Sequence, residues 1–96
     1  ATREWSEPQR RAVNARDRHC RGPSCDRPIG WTSVHHIRWW TRDDGPTDIG
    51  NGIALCHHCH RLVHDRGWTL HLDQATADVT WTSPAGEITV VRVRRR

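Results

Sequence analysis

Apolar residues fall along this chain in short runs divided by polar and turn-forming stretches, and the runs predict its elements. Trp5 to Arg18 reads as a first helix. Ser6 is placed to cap it and Pro8 sits in its first turn. Gln9, three residues after Ser6, completes a capping-box pattern. Cys20 to Pro28, with two prolines and a glycine, reads as a loop. Trp31 to Ile37 is a strand, favoured by Thr32 and Val34. Asp43-Asp44-Gly45-Pro46 is a turn, and Asn51 to Leu55 a second short strand. Cys56 to Arg66 is a short helix, stopped by Gly67. Three strand candidates follow: Trp68 to Leu72, Ala77 to Thr82 and Ile88 to Val93. Ser83-Pro84-Ala85-Gly86 is the turn between the last two, and Arg94 to Arg96 form a frayed tail. The fold class is therefore α+β, with a helix at the start and strands at the end.

Composition narrows this picture. A chain of 96 residues has room for one domain, and one this small often needs a metal or disulfides for stability. Phe, Tyr and Met are absent, so six tryptophans supply all the aromatic surface and the core must come from Trp, Val, Ile and Leu. All fifteen basic side chains are Arg, whose forked guanidinium suits bidentate contact with phosphate. The net charge of +4 fits a polyanionic partner. For Arg10, Arg11, Arg16 and Arg18 of the first helix, a solvated face and a DNA-facing surface are both open. No apolar stretch is long enough to span a bilayer, and no export signal is seen, so a cytoplasmic, bacterial location is expected, with no membrane partner. The chain does not begin with Met, which fits a domain excised from a longer protein.

The cysteines come as two close pairs, Cys20 with Cys25 and Cys56 with Cys59. Two such pairs suit a tetrahedral four-thiolate structural zinc site, which would supply folding free energy that a small core lacks. A disulfide-bonded, secreted protein is the competing possibility. An alternative ligand set, Cys56, Cys59, His60 and His64, resembles a zinc finger in residue types. It ranks lower because it strands Cys20 and Cys25.

His60 and His64 are four apart on the predicted second helix, so both rings can reach one ion. A third ligand can come from His35 or His36 on the preceding strand, whose neighbouring side chains point to opposite faces. Three neutral imidazoles would leave positions for water and substrate, as a catalytic site requires.

These residues carry a resemblance. Val34-His35-His36-Ile37, the run Asp44 to Asn51, and Leu55 to His64 present a histidine pair, an asparagine and two histidines four apart. In that order they resemble the HNH endonucleases of the His-Me finger (ββα-metal) superfamily, in particular domains of actinobacterial proteins and of McrA-like restriction enzymes. The resemblance covers roughly Arg18 to Trp68. It implies a DNA endonuclease in which His36 is the general base and Asn51 steadies the loop and the base. By the same resemblance His35, His60 and His64 hold one catalytic divalent cation (Mg2+, Mn2+, Ni2+ or Co2+), Cys20, Cys25, Cys56 and Cys59 hold structural Zn2+, and the products carry a 5′-phosphate and a 3′-hydroxyl. Gly50 departs from the pattern, since an acidic residue often precedes the asparagine.

Arg38, Arg42, Arg61 and Arg66 are the candidates for DNA phosphate contact, with Arg61 on the metal-bearing helix foremost. For each tryptophan core packing is favoured over base stacking, with Trp39 and Trp40 expected to face opposite ways. His57 and His58 are expected outside the ligand set, and His19 and His71 on the surface. The expected partner is double-stranded DNA. Cutting both strands would need a dimer or two successive nicks, and a separate domain could supply targeting. The competing function is a zinc-stabilised DNA-binding module without hydrolysis, which leaves the five histidine and asparagine residues unexplained.

Overall fold

The computed structural model describes residues 4–38 and 47–93. Trp39, Trp40, Arg42, the predicted turn at 43–46 and the tail at 94–96 lie outside the described residues. Helix α1 (Glu7–Asp17) begins as its sequence requires. The Ser6 hydroxyl accepts the Gln9 N–H at 3.2 Å, and the Gln9 side-chain oxygen accepts the Ser6 N–H at 2.8 Å. Both orphan donors of the first turn are thereby satisfied. The helix stops at Arg18, whose backbone turns left-handed at φ 66°.

Strand β1 (Thr32–His36) pairs antiparallel with β2 (Gly52–Cys56), setting Val34 opposite Ala54 and His36 opposite Gly52. All five residues of β2 are buried, because α1 packs on the hairpin as well as helix α2 (His57–His64). Cys56 both ends β2 and caps α2. The second helix is shorter than the span Cys56 to Arg66 expected from sequence, since Cys56 is extended and the helix closes at Asp65. Gly67 then takes the left-handed conformation at φ +76°, and the Trp68 N–H returns to the Leu62 carbonyl at 3.0 Å.

Strands β3 (Thr69–Leu72), β4 (Val79–Thr82) and β5 (Ile88–Val91) form an antiparallel meander in that order. The predicted turn between the last two is present: Gly86 N–H bonds to the Ser83 carbonyl at 2.9 Å. Among the described residues, two α-helices and two small antiparallel sheets make an α+β fold with a ββα unit at its centre.

One buried cluster joins the two sheets: Cys20, Ile53, Leu55, Cys56, Cys59, Leu72, Val79 and Trp81. Burying a side chain such as Ile53 or Leu55 contributes about 1.5–3 kcal/mol. Two expectations are corrected. Trp31 is 67 % exposed rather than packed in the core, lying under the Arg27 guanidinium at 5.6 Å from the ring centroid. His19 is buried rather than on the surface, its Nδ1 2.7 Å from the Cys20 carbonyl oxygen.

Sequence reading also missed a buried ion pair. Asp17 and Arg21 are both fully buried, with Arg21 Nη1 donating to Asp17 Oδ1 at 2.9 Å. The other Asp17 oxygen accepts the Ala54 N–H of β2 at 2.9 Å. Arg21 Nη2 donates to the carbonyls of Ala77 and Val91, and the Arg21 carbonyl accepts the Trp81 indole N–H at 2.8 Å. This network ties α1, the cysteine loop, β2 and the C-terminal sheet together.

Candidate active site

The loop after α1 is built to bring sulfur atoms inward. Cys20 N–H bonds to the Arg27 carbonyl at 2.9 Å, and Cys25 N–H to the Gly22 carbonyl at 3.3 Å, folding the segment back on itself. Arg21 N–H bonds to the Ala54 carbonyl of β2, which fixes the loop beside Cys56. The four sulfurs of Cys20, Cys25, Cys56 and Cys59 all lie within 4.8 Å of one another. A tetrahedral zinc with bonds of about 2.3 Å needs sulfurs about 3.8 Å apart. Cys25 and Cys56, at 3.9 Å, already have that separation.

The surroundings match the donor set. Cys20 Sγ accepts the Cys56 N–H at 3.2 Å, and Arg27 Nη1 approaches Cys56 Sγ at 3.7 Å. A hydrogen bond from the Cys59 thiol, aided by the Cys56 and Gly22 backbones and opposed by burial, brings Cys20 down to about 5. One thiolate therefore exists at neutral pH. Cys59 is pushed up by its bond to Cys20 and by burial, and Cys25 is raised chiefly by burial. Gly22 is required here, because a Cβ at that position would overlap Cys59 Sγ and lie 2.6 Å from Cys59 Cβ. The cluster is consistent with structural zinc held by these four residues.

The histidines lie at the other end of the hairpin. Alternation along β1 sends His35 toward α2, where its ring stacks on His60 at 3.8 Å between centroids and 13° between planes. His64, one turn further, lies 5.4 Å from His60 ring to ring. Burial, with the like charges of His60, His36, His57 and His64, holds His35 down at about 4, and burial also lowers His60. Both rings are therefore neutral near pH 7, the form that binds a cation. His64 instead turns its Nδ1 to Asp65 Oδ1 at 3.2 Å. Among the described residues, only the four cysteines bring three or more ligand atoms as close as 4.8 Å; the three histidines are neighbours in a looser array.

His36 points the other way along β1. Its Nε2 lies 2.8 Å from the Thr47 hydroxyl, and its ring lies 4.6 Å from that of Trp5. Asn51 is buried and grips the far end of the intervening loop. Its side-chain oxygen accepts the Arg38 N–H at 2.8 Å, and its amide donates to the Arg38 carbonyl at 3.1 Å. Asn51 is itself fixed by Asp48, whose carboxylate accepts its N–H at 3.2 Å.

The arginines divide by environment. Arg38, Arg61 and Arg66 are exposed near the histidines. Arg61 shares Asp65 with His64, its Nε donating to Oδ2 at 2.9 Å. His57 and His58 are exposed and outside the sulfur cluster. His57, His60, Arg61, His64 and Asp65 line an open depression of about 240 Å³. On α1, Arg16 is structural, donating to Asp17 and to the carbonyls of Ile49 and Gly52. Trp5, Thr47 and Asp65 were not singled out for the site from the sequence, and Gln9 was read only as a member of the capping box.

Comparison with known proteins agrees with the geometry. The pattern described as HNH endonuclease matches residues 20–66. An uncharacterized protein of Mycobacterium tuberculosis is 38 % identical over 80 residues, covering 83 % of this chain and 17 % of its own length. An uncharacterized protein of Mycobacterium bovis is 37 % identical over 79 residues, covering 82 % and 17 %. The chain thus spans about a sixth of the length of these relatives. No solved structure matches. No helix among the described residues is long and apolar enough to cross a membrane.

Proposed function

This chain belongs to the HNH endonuclease family, and from that premise we propose that it is a metal-dependent DNA endonuclease domain with His36 as general base. The observation that carries the reading is the division of the histidine pair on β1. His35 joins His60, with His64 one turn on, while His36 is held apart on the opposite face by Thr47 and Trp5.

In this reading His35, His60 and His64 would hold one divalent cation, one of Mg2+, Mn2+, Ni2+ or Co2+. When bound, it would supply positive charge to a nonbridging phosphate oxygen and to the departing 3′-oxygen. The scissile phosphate would be bound between these three histidines and His36. The His36 imidazole takes a proton from water, which attacks phosphorus in line; the P–O3′ bond breaks, the 3′-oxygen leaves with the bonding pair and takes a proton from solvent, giving a 5′-phosphate and a 3′-hydroxyl. An imidazole suits this step because its pKa lies near working pH. Asn51, through both Arg38 backbone bonds, keeps the end of β1 and the loop in register beside the base. Exposed Arg38, Arg61 and Arg66 contact backbone phosphates, together with Arg42. Cys20, Cys25, Cys56 and Cys59 would hold zinc, and the bound ion would brace the start of α2 and so the base of the histidine helix.

The chain would act as the cleavage module of a longer protein whose remaining segments choose the target, as in a restriction or modification-dependent enzyme. The test is nicking of supercoiled plasmid by zinc-loaded protein with Mg2+, Mn2+, Ni2+ or EDTA, beside His36→Ala. The expected result is metal-dependent nicking that falls by about 100- to 10,000-fold in the variant, with folding and DNA binding retained. Undiminished cleavage by His36→Ala would remove His36 as base. Absence of cleavage with every metal, from folded protein that still binds DNA, would favour a non-catalytic binding module.

A further inference from the structure

Helix α1 precedes the segment that matches the family pattern, which begins at residue 20, yet three contacts lead from it to His36. The Thr47 hydroxyl lies 2.8 Å from His36 Nε2. The Thr47 carbonyl in turn accepts the Gln9 side-chain N–H at 3.0 Å. Gln9 cannot swing away, because its other amide atom is engaged in the capping box with the Ser6 N–H at 2.8 Å. Just before the helix, Trp5 lays its ring 4.6 Å from that of His36, tilted by 35°. The space Trp5 uses exists because the residue opposite His36 on β2 is Gly52: a Cβ there would stand 2.9 Å from the indole.

We infer that α1 is part of the catalytic apparatus, with Thr47, anchored by Gln9, and Trp5 acting as positioning residues for the ring of His36. The inference rests on the reading of His36 as base. An imidazole on a strand rotates about two side-chain bonds, and proton transfer demands one ring orientation and one tautomer. A neutral imidazole has one donor and one acceptor nitrogen. The Thr47 hydroxyl, which can donate to or accept from Nε2, fixes the position of that ring edge, while the Trp5 face limits rotation of the ring. The Gln9 bond passes this restraint to a rigid, capped helix. None of the three touches the reacting phosphate, so their effect must appear in the chemical step and not in affinity for DNA.

The experiment compares single-turnover nicking rates, DNA Kd and thermal melting of zinc-loaded Thr47→Val, Thr47→Ser, Gln9→Ala and His36→Ala. Valine keeps the shape of threonine and removes its hydroxyl; serine keeps the hydroxyl. Thr47→Val is expected to slow the chemical step by about 10- to 100-fold, the scale of a misplaced catalytic group, with Kd unchanged. Thr47→Ser is expected to restore most of the rate, and Gln9→Ala to slow the reaction in the same direction by a smaller factor. A wild-type rate in Thr47→Val, a serine variant as slow as the valine one, or a loss that tracks Kd or melting would each overturn the inference. Inactive His36→Ala beside fully active Thr47→Val would remove Thr47 while leaving the base in place. Active His36→Ala would instead overturn the assignment of the base itself.

Discussion

The two ligand-bearing clusters of this domain, some sulfur and some imidazole, share helix α2 and differ in nearly every other respect. The cysteine group is largely buried, its sulfurs lie within 4.8 Å of one another, and backbone N–H groups point at it. The histidine group is part exposed, with His35 and His60 stacked and His64 turned toward Asp65. A site that encloses its ion on all sides can only stabilise; a site that leaves a face open can also bind substrate. If both clusters hold metal as proposed, burial would separate the two uses, with the closed site under the N-terminus of α2 and the open one along its exposed flank.

The strongest way to break this comparison is through the closed cluster. Cys59→Ser, or zinc removal by a chelator, is expected to unfold the domain outright. Cys59 is buried with Cys20, Cys56, Ile53 and Leu55, so losing an ion shared by the cysteines would place unpaired thiolates inside the core. Circular dichroism with zinc analysis checks this, and a folded, zinc-free protein would show that the cluster is dispensable. Next in size is the ion pair behind the cysteine loop. Asp17→Ala strips the one carboxylate that, among the described residues, is bonded to the fully buried Arg21, whose Nε has no partner among them either. Breaking such a pair costs about 3–5 kcal/mol, because an uncompensated charge stays buried. Urea unfolding at fixed zinc measures it; a change below about 1 kcal/mol, the range of exposed pairs, would mean that water reaches Arg21 freely.

These two predictions also mark where sequence reading succeeds and where it stops. The cysteine pairs and the Ser6–Gln9 box were legible because their chemistry is written in local spacing. The HNH order was legible because each residue has a distinct task. Asp17 and Arg21 were not, since charged residues near the end of a helix ordinarily face water, and only contacts 37 to 70 residues away in sequence bury them. His19 was misplaced because the cysteine loop folds back on it, pairing it with Pro28. Trp31 was misplaced in the opposite sense: the scarcity of large apolar residues argued for its burial, but Ile53, Leu55, Trp81 and the cysteines fill the core without it. Thr47 and Trp5 went unnoticed because their neighbour His36 is near only once α1 has packed on the hairpin.

A smaller effect sharpens the role of α1 beside the open cluster. Ser6→Ala removes the hydroxyl that accepts the Gln9 N–H, and loss of an N-cap costs about 1 kcal/mol. Arg11→Ala on the same helix removes an exposed pair with Glu7 whose side chains are 76 % and 64 % accessible. That change is expected to leave melting unaltered, since exposed pairs contribute little. Thermal melts of the two variants side by side separate the cap from the charge, and equal shifts would contradict the capping box.

The smallest expected effect on stability is the most informative about the two clusters. His64 is exposed, its Nδ1 beside Asp65 and its ring beside that of His60, so His64→Ala should change unfolding free energy by no more than about 0.5 kcal/mol. It should also leave one zinc per chain on the cysteines while weakening capture of a second divalent ion. Metal analysis after gel filtration, followed by titration of the zinc-loaded protein with Mn2+ or Ni2+, reads both numbers from one sample. If the tightly held zinc were instead lost with His64, the ligand set would be Cys56, Cys59, His60 and His64, and the closed site would have drawn on the open one. Retention of that zinc with loss of the second ion is the outcome expected if the four clustered sulfurs supply the four donors of a tetrahedral zinc without any imidazole.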